Sequence, residues 1–242
     1  MGRKNKTVLF DSDNPSGSDS YYQLRKNRKK MGKSWFYHDK TISYKYNQLG
    51  FRTKNIEDID WKNSIVIFGC SNVAGVGIAF EDTVSVRLES ILKIPVINLG
   101  VSGYGIDLAC LNSLCIHNHY PHPKAIVQIW SGAARYSELT GSIDCIKSWE
   151  PRLPKSKTYC GSHDWEVRND YYVEFDRTIW KEKTIYYEGT YFYDTHKRYN
   201  VDFFDKIDLA RDLIHPGVET QQMAAEMIAN KLLILGINND SI

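Results

Sequence analysis

Between residues 64 and 130 the chain alternates short apolar runs with amphipathic stretches, and this alternation restricts the fold more than any other feature. "SIVIF" (64–68), "PVINL" (95–99) and "AIVQIW" (125–130) have the length and β-branched content of buried strands. "EDTVSVRLESILK" (81–93) sets Val84, Leu88, Ile91 and Leu92 on one helical face, with Asp82 or Thr83 placed to cap it. "YGIDLACLNSLCIHN" (104–118) does the same with Leu108, Leu111 and Cys115. Strands separated by helices of this length predict a parallel sheet with right-handed crossovers. "TQQMAAEMIANKLLILG" (220–236) adds a closing helix that ends at Gly236.

The flanks are less regular. Residues 1–33 carry nine Lys/Arg against three Asp in a chain of net charge +2, and "RKNRKKMGK" (25–33) concentrates that charge. The expectation is a flexible basic arm over 1–33, with weak polyanion binding through 25–33 as its functional alternative. Residues 34–61 read as a hairpin-like lead-in, and 62–242 as one α/β domain. Within that domain no clean strand–helix unit is legible over about 136–204, which is rich in aromatics and reads as an irregular or β-rich insertion. Its Trp149, Trp165 and Trp180 could form a sugar-stacking platform or a small core of their own.

Several classes fall away. No apolar run has the length of a membrane helix, and the N-terminus lacks a signal-peptide core, so no membrane partner and a cytoplasmic location are expected. Five cysteines without framework spacing suit reduced thiols. "HNHYPHP" (117–123) joins a helix to the next strand at the amino ends of the sheet with few carboxylates nearby, so no metal is expected. Gly75 and Gly77 lack the spacing of a nucleotide-binding loop, and no cofactor is expected.

Ligands of open parallel sheets sit beyond the carboxyl ends of the strands. That rule gathers "GCSN" after the first strand, "GVSGYG" after the second, "SGAAR" after the third, and "DLARDLIHPG" (208–217) before the last helix. One rim then holds Ser71, His215 and Asp212. A serine hydroxyl becomes a nucleophile when an imidazole takes its proton, and a carboxylate fixes the tautomer of that imidazole. The expected roles are Ser71 nucleophile, His215 base then acid, and Asp212 orienter, with Asp208 as an alternative orienter. The backbone N–H groups of Ser71 and Gly103 would form the oxyanion hole.

"FGCSN", "INLGVSGYG" and "DLIHPG" together resemble the SGNH, or GDSL-type, hydrolases, over about residues 62–135 and 205–235. "YNQLGFR" (46–52) resembles a segment that often precedes the serine turn in SGNH-like proteins of bacteria and their phages. The resemblance implies a three-layer α/β/α, flavodoxin-like fold, and it places Ser71, Gly103, Asp212 and His215 in the family's nucleophile, glycine, acid and base positions. Cys70 stands where the family usually has Asp, and the family's Gly-x-Asn after the third strand is missing from "QIWSGAARY". Asn72, Ser131 or Arg135 would then contact the substrate or replace the lost oxyanion donor. The family's further helix and strand before Asp-x-x-His are not legible either. The implied activity is cleavage of a small acyl group, such as acetyl, from a sugar or other small ester. The alternatives are acyl transfer by the same triad and a non-catalytic module of the same fold.

Overall fold

A computed structural model of the chain describes residues 6–8, 18–137, 158–160 and 163–238. Strand β1 (Lys6–Val8) is followed by helix α1 (Tyr21–Met31) and strand β2 (Tyr44–Tyr46). The two strands pair antiparallel, Lys6 opposite Tyr46. Ser20 caps α1 by accepting from Gln23 N–H, and Arg28, Lys29 and Lys30 lie in its last turn, where cations suit the helix dipole.

These elements correct two expectations. The second half of the basic arm is a helix docked through buried Leu24 and Asn27, while Arg25, Lys26, Lys29 and Lys30 stay exposed. Only a narrow stripe of α1 is buried, so no apolar period announces it. The lead-in does not fold back on itself as a hairpin, since β2 pairs with β1. Gly50 sits in a turn: Asn47 Oδ1 accepts from Leu49 N–H and Phe51 N–H around it.

The α/β domain proceeds as β3 (Ile65–Gly69), α2 (Ser71–Ala74), α3 (Val84–Leu92), β4 (Val96–Gly100), α4 (Ile106–His119) and β5 (Ala125–Trp130). Strands β6 (Arg135–Ser137) and β7 (Thr158–Cys160) form an antiparallel pair. They are followed by α5 (His163–Trp180), β8 (Ile185–Thr190), α6 (Tyr193–Tyr199), β9 (Asp202–Phe203) and α7 (Val218–Ile234). The central sheet has five parallel strands in the order β4-β3-β5-β8-β9. This is the doubly wound order, and its switch point falls between β3 and β5.

Alternate residues of β3 face opposite layers. Ile65 and Ile67 pack with Val84 and Leu88 of α3 and Ala224, Ile228 and Leu232 of α7. Val66 and Phe68 pack on the other side with Ile116 of α4 and Trp180 of α5. Each such aliphatic contributes about 1.5–3 kcal/mol by leaving water. The result is the three-layer α/β/α sandwich that the sequence implies.

The stretch 136–204 is a partial correction. Its second half supplies α5 and β8, the helix and strand that were not legible. Strand β8 carries Tyr186, Tyr187 and Glu188 where a strand buried on both faces usually carries aliphatics, and this hides it. Residues 138–157 lie outside the described residues. Among the described residues, no helix is long and apolar enough to cross a membrane.

Candidate active site

Ser71 opens the short helix α2 immediately beyond the carboxyl end of β3. The packing of α2 on the sheet requires small residues beneath it. A Cβ on Gly100 would meet the backbone and side chain of residues 73–74, and one on Gly69 would meet Val73. The helix is thereby held against the ends of β3 and β4, and the Ser71 residue is only 8% exposed.

The loop before α7 brings the partners. An isolated bridge joins Leu209 to Pro216, and Ala210 N–H donates to the His215 carbonyl. Leu213 turns the chain inside this loop with φ of +61°, a left-handed conformation uncommon for leucine. The turn lets Asp212 serve His215 twice. Its Oδ1 accepts from the backbone N–H groups of Ile214 and His215, both at 3.0 Å. Its Oδ2 lies 2.5 Å from His215 Nδ1. The other ring nitrogen, Nε2, lies 2.7 Å from Ser71 Oγ. Since Nδ1–H donates to the carboxylate, Nε2 is left to accept from the serine hydroxyl. Burial pushes the Asp212 carboxyl up, but its hydrogen bonds and the charge of His215 outweigh this and hold it below the usual carboxylate range.

Asp208 does not reach His215. Its carboxylate accepts from the N–H groups of Glu219 and Thr220 and from the Thr220 hydroxyl, at the start of α7. Asn98 is similarly occupied: its Nδ2 donates to the Val73 carbonyl and Ser85 Oγ, and its Oδ1 accepts from Gly100 N–H. Gly103 sits in the turn after β4 with φ of +85°, a conformation that favours glycine.

Two of the expected substitute donors share one property. Asn72 Nδ2 and Ser131 Oγ are buried side-chain atoms with no hydrogen-bond partner among the described residues. Gly69 pairs with Ile129, so Ser71 and Ser131 each stand two residues beyond the same rung of the sheet. Arg135 differs, because its guanidinium lies over the Phe192 ring, 5.4 Å from the centroid.

Sequence reasoning missed the residues that hold the loop after Ser71. Arg52, buried, donates to the carbonyls of Ala74, Gly75 and Ile78. Tyr44 receives the Gly77 N–H on its hydroxyl. Arg52 lies within "YNQLGFR", and an arginine beside Leu-Gly-Phe was the available signal.

No family model and no curated protein matches the sequence. Solved structures with a similar fold include a carbohydrate esterase family 2 enzyme with a carbohydrate-binding domain from Corynascus thermopiles (Myceliophthora fergusii), at 14% identity and a TM-score of 0.48, covering 73% of this chain and 67% of that one. A member of the lipolytic G-D-S-L family from Veillonella parvula DSM 2008 is 12% identical with a TM-score of 0.44, covering 72% and 97% of the two chains. AlinE4, an SGNH-hydrolase family esterase, is 15% identical with a TM-score of 0.40, covering 74% and 100%. With TM-scores below 0.5 these structures remain likenesses, and the functional reading rests on the geometry of the site.

Proposed function

We propose that this chain is an ester hydrolase working through an acyl-enzyme on Ser71. The observation that carries the reading is the relay from Ser71 Oγ to His215 Nε2 at 2.7 Å, with Asp212 on the other ring nitrogen. In the first half-reaction, Ser71 Oγ attacks the ester carbonyl while its proton passes to Nε2. The Asp212 carboxylate stabilises the resulting imidazolium. The backbone N–H groups of Ser71 and Gly103 hold the oxyanion, and Ser131 or Asn72 adds a side-chain donor. The imidazolium then protonates the departing alcohol. In the second half, water attacks the acyl-Ser71 carbonyl with His215 as base, releasing the acid and restoring the serine.

The acyl group proposed is small, such as acetyl, carried on a sugar or other small alcohol. Aromatic stacking lends this little support, since Trp180 is buried in the core and Trp149 lies outside the described residues. Transfer of the acyl group to another alcohol needs no additional residue, and an acceptor such as glucose added to the assay separates it from hydrolysis. The missing Gly-x-Asn favours a second reading, a binding module that has kept the fold and lost turnover. Release of 4-nitrophenol from 4-nitrophenyl acetate decides between them. The hydrolase reading expects turnover that falls at least about 10⁴-fold in S71A and H215A. Equal rates in wild type and S71A would favour the module.

A further inference from the structure

Beside the triad, three residues from different strand ends converge. Arg135 follows β5, Phe192 follows β8 and Lys206 follows β9, so all three stand beyond the carboxyl ends of the sheet, on the rim that carries Ser71 and His215. Arg135 and Lys206 both lie over the Phe192 ring, their charged atoms 5.4 and 5.8 Å from its centroid. The Lys206 ammonium also reaches the carbonyl of Ile214, the neighbour of His215, at 3.4 Å. Among the described residues, neither cation has a carboxylate partner within ion-pair distance. Burial lowers the affinity of Lys206 for its proton; the nearby Cys70 and Asp212 oppose this and Arg135 adds to it. A cation–π contact contributes about 0.5–1 kcal/mol at exposed sites, too little to account for bringing two like charges together at the edge of a reaction centre.

We propose that Arg135 and Lys206 form an anion subsite beside Ser71, so that the ester cleaved carries a carboxylate or phosphate group, its carbon portion resting on Phe192. This rests on the hydrolase reading for the ester bond but not for the anion. Arg135 offers a fork that matches two oxyanion atoms, and Lys206 a point charge. The backbone around Arg135 is fixed, because Asn169 Nδ2 donates to the carbonyls of Ala133 and Arg135. The backbone that carries the Arg135 guanidinium is therefore in place before the anion arrives.

The test compares mono-4-nitrophenyl succinate with 4-nitrophenyl methyl succinate, which differ in one methyl group and one charge. Wild type should prefer the charged ester in kcat/KM, and added salt should weaken that preference. The ratio should fall about tenfold in K206M and in R135M and be largely kept in K206R. Calorimetric binding of free succinate and of inorganic phosphate to the same proteins reads the anion without turnover, and the stronger of the two distinguishes carboxylate from phosphate. If neither ester is turned over while anion binding still depends on Lys206, the hydrolase reading fails and the subsite stands. If the neutral ester is cleaved as well as the charged one, and K206M binds both anions as wild type does, the subsite is overturned and the hydrolase reading stands.

Discussion

The carboxylate of Asp19 holds the guanidinium of Arg211, the residue next to Asp212, in an ion pair at 2.7 Å that is buried on both sides. The pair belongs to a network. Tyr44 donates its hydroxyl proton to Asp19 Oδ2 at 2.5 Å, and Gly77 N–H donates to that same hydroxyl oxygen at 2.8 Å. Asn27 of α1 donates to the Arg211 carbonyl at 3.0 Å, and Arg211 N–H donates to the Gly77 carbonyl. The N-terminal segment thus joins the loop after Ser71 to the loop that carries Asp212 and His215.

Removing one half of that ion pair strands the other. D19A should lower stability by about 3–5 kcal/mol, because it leaves a buried guanidinium without its counter-charge. The double variant D19A/R211M should recover part of that loss, as expected when the two residues are coupled. Chemical denaturation of the two single variants and the double variant measures this. A D19A midpoint equal to that of wild type would show that the network carries no stability.

Arg52 holds the serine loop by its carbonyls alone. R52M should cost more than about 2 kcal/mol, since several buried carbonyl oxygens lose a charged donor together. It should also lower kcat on an aryl acetate by loosening α2. R52K should rescue little, because one ammonium cannot span carbonyls arranged for a planar fork. Unaltered kcat in R52M would separate the loop from catalysis.

Two buried carboxyls predict opposite pH dependences. Burial raises Asp176 to about 7, partly offset by hydrogen bonds from Ser113, Tyr186 and Gln128. Between about 3.9 and its folded value the native state keeps a proton that the unfolded chain releases. Its contribution is therefore greatest at low pH and declines as pH rises toward 7. Asp212 is held down instead, so its contribution is present above the unfolded carboxylate pKa of about 3.9 and is lost as pH falls through its depressed value. Urea midpoints from pH 3 to 8 should show D176N gaining on wild type by up to a few kcal/mol between pH 4 and 7. The difference between D212N and wild type should change only at the acid end. Differences constant across the range would contradict both assignments.

The oxyanion donor is open to direct measurement. Ser131 Oγ is better placed than Asn72 Nδ2, by its register with Ser71. S131A should lower kcat by about 10²-fold with little change in KM, the signature of an interaction made in the transition state. A loss of that size in N72A with S131A near wild type would transfer the role to Asn72.

The strands and helices from 64 to 130 were legible because both faces of β3, β4 and β5 are buried, leaving short uninterrupted apolar runs. Of the residues proposed as a triad, Ser71 stood out because it follows a recognisable strand, and Asp212 and His215 because they precede a recognisable helix. Helix α5 and strand β8 were not. Their interior polar groups, among them Asp176, Tyr186 and Glu188, bond to one another and to Arg177 and Gln128, and so break the apolar pattern. Asp19, Lys206 and Phe192 left no local signal, since their roles depend on contacts distant in the chain. Lys206 gains its position only because β9 extends the sheet beyond β8, which brings the residues after it toward Arg135 and His215.

In the proposed mechanism His215 activates the Ser71 hydroxyl. Reaction with a fluorophosphonate probe, read by intact-protein mass and peptide mapping, tests it most directly. One covalent adduct should form on Ser71, absent in S71A and at least about 10³-fold slower in H215A. No adduct on wild type between pH 6 and 9, or an equal labelling rate in H215A, would contradict it.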